Sequence, residues 1–314
     1  MKGRVGLSAC RECCFKKVRS LGSGKKEQSK EKALVVNELK AIFSLQHLLK
    51  ATGLAKSVYY YHCKVLRRTA PDEALQSQIV HLYHEHKGRY GYRRITMSLR
   101  LSGVNINHKR VQRLMGELGL KSKVRPKRYA SYKGDVGRIA PDLVQRKFTA
   151  DKPNQKWVTD VTEFKVGEQK VYLSPVIDLF NQEVVSYEVG TSVRLSLVTD
   201  MLKKATAKLG RHETPIVHSD QGWQYQNRKY QQQLKEKGLK QSMSRKGNCL
   251  DNAMAENFFG LLKTEMYHNE VFKNADELIE TIKEYIDYYN HKRIKLKLKG
   301  LSPIEYRNQA LIAA

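Results

Sequence analysis

The sequence predicts an α/β core, built on a mixed five-stranded sheet with flanking helices, that is preceded by small all-helical units. Two observations support this prediction. After Pro153, short apolar runs and amphipathic patterns follow the order strand, strand, strand, helix, strand, helix, strand, helix. Before it, amphipathic helical patterns are separated by glycine-containing turns. A chain of 314 residues can bury one full-sized core with smaller units beside it.

Basic residues are concentrated in the first half of the chain. Residues 1–150 contain 33 Lys and Arg against 10 Asp and Glu, whereas residues 151–314 contain 25 against 21. Such an excess fits nucleic acid, through phosphate neutralisation, and it also fits an anionic membrane surface. No stretch approaches the roughly 18 apolar residues that span a bilayer, and the N-terminus lacks an apolar signal segment. We therefore expect a cytoplasmic, nucleoid-associated protein with no membrane partner.

The five cysteines are too few and too scattered for a disulfide framework, which indicates free thiols. Cys10, Cys13 and Cys14 could begin a zinc site, but no second Cys or His pair follows at ligand spacing. The histidine-rich segment 81–86 lacks a paired Cys-x-x-Cys and is expected on a solvated helix face.

Residues 1–30 are rich in Gly, Ser, Lys and Arg and predict a basic disordered tail. Residues 33–68 predict a helix-turn-helix: two short helices, a Thr-Gly turn, then a basic, tyrosine-rich helix. The helix after the turn enters the major groove in such units, so Lys56 and Tyr60 are candidate DNA contacts. Three helices with a glycine turn are also common in proteins that bind nothing.

Residues 72–120 predict a second helical DNA-binding unit, in which a glycine turn again precedes a basic helix. The stretch KGRYGYRRI mixes arginine with tyrosine, which suits phosphate contact with stacking. An equally good interpretation is a charged helix start with its tyrosines in the core. Residues 121–148 predict a basic linker. The candidate DNA contacts in this region are Arg89, Arg93, Arg94, Lys109, Arg110 and Arg113.

Residues 149–314 predict one α/β domain whose order of strands and helices is that of a ribonuclease H-like core. In that order the first and fourth strands lie side by side. Asp160 is in the first strand and Asp220 ends the fourth, so the two carboxylates would face each other. A carboxylate before a glycine is also ordinary turn chemistry, because Gly tolerates positive φ.

A third carboxylate is expected from the helix within residues 251–268. At about 100° per residue, Glu256 lies opposite an apolar arc, and Lys263 falls about 20° from Glu256 on the open face. Glu265 points about half a turn away, so Glu265→Gln is expected to leave activity unchanged. Asp160, Asp220 and Glu256 together could hold two Mg²⁺ or Mn²⁺ ions, because hard cations prefer oxygen ligands.

The spacing of Asp160, Asp220 and Glu256, with 35 residues between the last two, resembles the DDE pattern of the retroviral integrase and transposase superfamily. Five blocks in order resemble the orfB product of family-three bacterial insertion sequences, and two upstream segments resemble its helix-turn-helix parts. The likeness covers residues 33–310. The five blocks are WVTDVTEF, VIDLFN, HSDQGWQY, RKGNCLDNAMAENFFGLLKTE and YYNHKRIKLKLKGLSPIEYR, and the upstream segments are VYYYH and GRYGYRRI.

The resemblance implies a transposase that cleaves and joins DNA at the ends of its element, by hydrolysis at the 3′ ends and strand transfer from the exposed 3′-OH. It places the catalytic triad on Asp160, Asp220 and Glu256 and a DNA-contacting cation on Lys263. Asp178 also matches a family position and is interpreted as structural or as a support for the metal ligands, and not as a ligand itself. The implied partners are double-stranded DNA and further copies of the chain. The need for an upstream-frame orfA protein or a frameshift fusion is left open.

Two alternatives remain at this stage. One is a DNA-binding repressor whose α/β domain has lost its chemistry, although the intact carboxylates argue against it. The other is a structure-selective nuclease on the same fold, which would hydrolyse DNA without joining it.

Overall fold

The computed structural model describes residues 25–123, 139–245, 249–268 and 270–312. The chain divides into two compact units, with the boundary between Leu82 and Tyr83. The predicted tail therefore lies outside the described residues up to residue 24, and so do Cys10, Cys13 and Cys14. Among the described helices, none is both long and apolar enough to cross a membrane.

The first unit is helical, as predicted. Helices α1 (Lys25–Leu39), α2 (Leu45–Thr52) and α3 (Lys56–Glu85) follow one another, so residues 25–30 are helical and not part of a disordered tail. Gly53 ends α2 in the left-handed conformation, at φ 64°, which a residue without Cβ adopts at little cost. The buried apolar residues of this unit are Ala33, Val35, Val36, Leu39, Leu48, Leu54 and Tyr59.

The second predicted unit, residues 72–120, contains the end of α3 and helices α4 (Tyr92–Leu101) and α5 (His108–Glu117), so one continuous helix crosses the boundary predicted between the two units. Asn107 caps α5, because its side chain accepts a hydrogen bond of 2.9 Å from the Lys109 N–H. Val111, Leu114 and Met115 are buried on one stripe of α5, which leaves its basic stripe exposed. The predicted glycine turn and amphipathic helix are both present.

This helical pair belongs to the same compact unit as the sheet, so the boundary lies at residues 82 and 83 and not near 149. The Tyr90 hydroxyl donates to the Lys292 carbonyl and accepts from the Ile294 N–H, at 3.2 and 2.8 Å. His86 stacks on Tyr90 at 3.7 Å and is buried, so it is not on a solvated face. Within the predicted linker, residues 139–148 pack beside the sheet and residues 124–138 lie outside the described part.

Six strands make up the sheet in the described residues, where five were predicted. The strands are β1 (Lys156–Thr159), β2 (Thr162–Val166), β3 (Gln169–Asp178), β4 (Val184–Gly190), β5 (Ile216–Ser219) and β6 (Lys240–Met243). The first predicted strand is broken at residues 160–161 into β1 and β2, and both pair antiparallel with one edge of β3, whose other edge pairs with β4. β1 runs parallel to β5, and β5 parallel to β6.

Helices cover both faces of the sheet. The helices after β4 are α6 (Leu195–Thr206), α7 (Trp223–Gln226), α8 (Arg228–Glu236), α9 (Ala253–Leu262), α10 (Ala275–His291) and α11 (Pro303–Ile312). Successive residues of β1 point to opposite faces, so Val158 packs with α9 and α10, whereas Trp157 packs with α6 and α8. A 3₁₀ turn (Cys249–Asn252) precedes α9, and a π turn (Lys263–Tyr267) extends it.

Candidate active site

Two aspartates follow the carboxyl ends of adjacent parallel strands. The register pairs Lys156 with Ile216 and continues one residue at a time to Val158 with His218. Continued two residues further, this register sets Asp160 opposite Asp220. The prediction that the first and fourth strands are neighbours is therefore confirmed, and the reason is the parallel pairing of β1 with β5.

Backbone N–H groups hold one oxygen of each aspartate. Asp160 Oδ1 accepts a hydrogen bond of 2.7 Å from the Val161 N–H, and Asp220 Oδ1 accepts one of 2.9 Å from the Gly222 N–H. These bonds orient both carboxylates. Among the described residues the second oxygen of each accepts no hydrogen bond, so it remains available to a ligand.

Glu256 comes from the first turn of α9. The helix is fixed on the sheet by Ala255, Phe258, Phe259 and Leu262, which are buried. Glu256 is half-buried, like the two aspartates, and its negative charge acts on Asp160. The ends of two strands and the first turn of α9 thus place Asp220 and Glu256 close enough for their charges to act on Asp160, and the assignment of the three as a catalytic triad stays a prediction.

The electrostatics of this cluster are unfavourable in the protein alone. Burial raises the pKa of the Asp160 carboxyl well above its ordinary value, and the charges of Asp220 and Glu256 raise it further. Burial also raises the pKa of Asp220, against the hydrogen bond from Gly222. Carboxylates that repel one another in a desolvated place are stabilised by a bound cation.

The donor set fits hard divalent cations, because all three side chains offer carboxylate oxygen. Within the described part of the chain, no three acidic, His or Cys groups converge closely enough to form a ready metal cage.

Lys263 lies at the edge of the same cluster. Its ammonium nitrogen is 5.1 Å from the centre of the Phe164 ring. Burial lowers the pKa of Lys263, while the charges of Glu163 and Asp160 oppose that shift. The lysine is half-buried and not fully solvated, and the charge of Asp160 acts on it; its contact with DNA stays a prediction.

Glycine is needed at position 222 because a side chain would not fit there, and not because of the backbone conformation. Its φ is −59°, which any residue adopts, so the positive φ considered for this turn is wrong. A Cβ at this position would lie 2.7 Å from Gln224 Nε2 and 3.0 Å from Asp220 Oδ1. The absence of a side chain lets the Asp220 carboxylate fold back onto the Gly222 N–H.

We expect Gly222→Ala to lower strand joining by about tenfold or more, because the new methyl group displaces the Asp220 carboxylate, with a cost in stability of ~1–3 kcal/mol. Joining of labelled DNA ends and thermal unfolding would both be measured. Gly210→Ala is the matched control, since its nearest neighbour, Glu213 Oε2, would lie 3.4 Å away. Equal activity of the two variants would contradict this account of Gly222.

Two residues near the site were not identified from the sequence. Tyr225 is buried beneath the aspartates; burial raises its pKa well above the ordinary value, and the charges of Asp160 and Asp220 add to this. His218 Nε2 lies 2.8 Å from the Asp251 carbonyl, which ties β5 to the turn before α9. Both lie in the segment HSDQGWQY. Its polar residues, which the structure buries, were the sequence feature that could have identified them.

Asp178 is remote from the cluster. It pairs with Trp157, at the far end of β1 from Asp160, because β1 and β3 are antiparallel. Its two oxygens accept hydrogen bonds from the N–H groups of Asn154 and Phe180, at 2.8 and 3.0 Å. The structural role inferred from the sequence agrees with this geometry.

Arg89 and Arg94 are engaged in contacts within the protein and do not form an open DNA-binding surface. Arg89 is 8% exposed, lies 4.5 Å from the centre of the Tyr288 ring and donates to the Glu265 carbonyl. Arg94 donates to the Arg89 carbonyl and lies 3.8 Å from Glu265 Oε1. The alternative interpretation, a charged helix start with its tyrosines in the core, is right for Tyr90, which is buried, but Arg89 and Arg94 pack within the protein and are not solvated.

The other candidate DNA contacts are on the surface. Tyr60 is 53% exposed, and Arg113 reaches Glu117 at 2.6 Å from an exposed position on α5. Exposure leaves these side chains able to meet DNA but does not by itself assign them. The exposed set is Lys56, Tyr60, Arg93, Lys109, Arg110 and Arg113.

Glu265 differs from its expected role as an inert position. It is 3% exposed, and Arg293 donates to both of its oxygens, at 2.9 and 2.6 Å. Tyr285 donates a further hydrogen bond of 3.0 Å. The helix face opposite Glu256 is the apolar face, which is buried. The carboxylate of Glu265 therefore lies inside the protein and needs buried partners.

Comparison with known proteins gives consistent matches along the chain. Integrase core domain families match residues 150–249 and 256–311, and an HTH-like domain family matches residues 70–128. The InsK transposase of insertion sequence element IS150 from Escherichia coli (strain K12) is 56% identical over 275 residues, 88% of this chain and 97% of that protein. The InsF transposase of IS3A from the same organism is 33% identical over 286 residues, 89% and 99%.

Among solved structures, the catalytic core domain of HTLV-2 integrase, in complex with magnesium, is similar with a TM-score of 0.41 and 18% identity. The match covers 50% of this chain and 98% of that one.

Proposed function

This chain belongs to the insertion-sequence transposases that carry an integrase core domain, which act in DNA transposition, and we propose that Asp160, Asp220 and Glu256 are its catalytic residues. The observation that carries the proposal is the parallel register of β1 and β5, which sets the two aspartates side by side. The charge of Glu256 raises the pKa of Asp160, which supports placing the first turn of α9 in the same site.

The reaction proposed is hydrolysis of a phosphodiester at each element end, followed by attack of the exposed 3′-OH on target DNA. The integrase core family uses a divalent metal. Bound to the three carboxylates, two Mg²⁺ or Mn²⁺ ions would activate the attacking oxygen and stabilise the leaving oxygen. The Val161 and Gly222 N–H groups hold the Asp160 and Asp220 carboxylates in place. Lys263 is proposed to contact the phosphate next to the scissile bond.

The direct test is to incubate purified full-length protein with DNA that carries the element ends and with Mg²⁺, and to look for joined products. Joined products support the transposase. Hydrolysis without joining would select the nuclease, and binding without either reaction would select the repressor.

Lys263→Ala is expected to weaken engagement of the element end at the active site by about tenfold, because an ammonium next to the scissile phosphate makes a charge-assisted contact. The cost in stability is expected to be ~1 kcal/mol, from the lost contact with Phe164. Crosslinking of terminal nucleotides and joining would be measured, with Lys263→Arg as the charge-preserving control. Unchanged crosslinking and joining in Lys263→Ala would show that the lysine has no specific role.

Recognition of the element ends is proposed to reside in α3 and α5. Replacing Tyr60 or Arg113 by alanine is expected to reduce the preference for end DNA over random DNA by about tenfold, while affinity for random DNA changes much less. Footprinting on both DNAs would measure this in the full-length chain, because residues 83–123 pack with the core. Equal losses on both DNAs would indicate phosphate contacts only.

We propose that several copies act together on double-stranded DNA, and that the protein is cytoplasmic and associates with the nucleoid through that DNA. A requirement for an upstream-frame orfA protein is tested by adding it to the joining reaction.

A further inference from the structure

A cavity of about 630 Å³ lies beside α9, the helix that carries Glu256. Asn257, Gly260 and Leu261 of α9 line it, together with Thr264 from the π turn. At 100° per residue, Asn257 and Gly260 lie roughly 100° and 40° around the helix from Glu256. The cavity therefore lies along a face of α9 next to the one that carries Glu256, and its lining includes none of the three carboxylates.

Positive charge dominates the walls of this cavity. Among the described lining residues, Glu265 is the one acidic side chain, and Arg293 already occupies both of its oxygens. The charge on the walls is therefore not balanced from within. The basic lining residues are Arg89, Arg93, Arg94, Lys123, Arg293, Lys295 and Lys297.

Lys295 shows the effect of this charge inside the protein. It is buried, donates to the neutral Gln182 Oε1 at 2.8 Å, and its ammonium lies 4.3 Å from the centre of the Tyr289 ring. Burial lowers its pKa well below the ordinary value, and the charges of Arg293 and Arg94 lower it further. An anion in the cavity would relieve this repulsion.

The floor of the cavity is apolar, which a free inorganic anion does not need. Ile177 and Phe258 are buried there, and Met254 and Leu261 lie beside them. Tyr289 and Tyr92 add aromatic surface. The mouth differs from the floor, because the lining residues Arg93, Asn257, Leu296 and Lys297 are exposed.

A ligand that matches both parts carries a negative charge at one end and a flat apolar group at the other. Resting on the proposed function, we propose that this cavity receives one nucleotide of the bound DNA, with its phosphate at the cationic mouth and its base on the apolar floor. The volume lies in the range that holds a molecule of this size. Stacking and phosphate contacts would offset the cost of removing the base from the duplex.

The test uses full-length protein in EDTA, so that no cleavage takes place, and end DNA that carries 2-aminopurine at one position at a time. We expect 2-aminopurine emission to rise several-fold at one position near the cleavage site, as that base leaves the stack. Leu296→Trp, which fills the mouth, and Lys297→Glu, which reverses a charge there, should each reduce that signal and weaken end binding by about tenfold.

Matched controls use exposed positions outside the cavity: Leu311→Trp on α11 and Lys235→Glu on α8, both expected to stay within about twofold of the parent. A flat emission profile at every position overturns the proposal. So does an unchanged signal in Leu296→Trp, or a loss of binding in Lys297→Glu with the emission rise preserved.

The assay is run without metal and therefore without cleavage or joining. Failure of the cavity proposal would therefore leave the proposed catalytic residues to be decided by the joining reaction.

Discussion

Asp160→Asn, Asp220→Asn and Glu256→Gln are each expected to lower cleavage and joining by about three orders of magnitude or more, while binding of element ends survives. Each change removes one negative charge from a site that needs several to hold divalent ions, and each preserves the shape of the side chain. Cleavage and joining of labelled ends would be measured in Mg²⁺, and binding by mobility shift.

The same variants are expected to be at least as stable as the parent in metal-free buffer. Burial and neighbouring charge raise the pKa of Asp160, so the ionised carboxylate costs stability at pH values above its unfolded pKa. The amide removes that cost. A thermal unfolding temperature at neutral pH equal to or above the parental one separates loss of chemistry from loss of fold.

The control variants make the same carboxylate-to-amide substitution at exposed positions away from the candidate active site. Asp200→Asn, at an exposed position of α6, and Glu280→Gln, on the exposed side of α10, should both stay active. Strand joining by Glu256→Gln at a near-parental rate would remove Glu256 from the site, and with it the proposed catalytic function of α9.

Glu265→Gln is expected to destabilise the protein by about 3–5 kcal/mol. The substitution leaves Arg293, which is 1% exposed, buried without its counter-charge. It also weakens the acceptor for Tyr285 and removes the negative charge near Arg94. Urea unfolding, followed by tryptophan fluorescence, would measure the loss, since Trp157 is buried in the same unit.

The pH dependence gives a second measure of this ion pair. Burial alone would raise the pKa of Glu265, but the hydrogen bonds and charge of Arg293 outweigh it and hold that pKa below the ordinary value. The pair therefore stabilises the fold above the unfolded pKa of a glutamate, and this contribution disappears as the pH falls through the lower, folded pKa. The difference in stability between parent and Glu265→Gln should shrink in acid.

Glu280→Gln is the matched control here too, because Glu280 pairs with Lys283 at the surface, at 2.7 Å. Its loss should cost at most ~0.5 kcal/mol. Equal unfolding midpoints for the two variants would show that the buried pair contributes no net stability. An inactive Glu265→Gln would not by itself implicate Glu265 in the chemistry, since it is expected to unfold easily.

Local patterns in the sequence determined most of the fold and selected the three carboxylates proposed as the triad. Glycine turns and amphipathic repeats predicted α2, α3, α4 and α5, because a turn conformation and a helical stripe depend on neighbouring residues alone. The order of strands and helices predicted that β1 and β5 are neighbours, and the parallel register then places Asp160 opposite Asp220. Chain order limits how a sheet can be connected, so this inference reaches beyond local structure.

The tertiary structure decided the roles of charged residues within those elements. The sequence shows that Arg89 and Arg94 are basic, but only the packing shows that they lie against Glu265 and the tyrosines of α10. Glu265 did carry a signal, since a carboxylate inside an apolar arc must find buried partners, but its partner is 28 residues away. Charge is a property of one residue, whereas burial and pairing depend on contacts between distant parts of the chain.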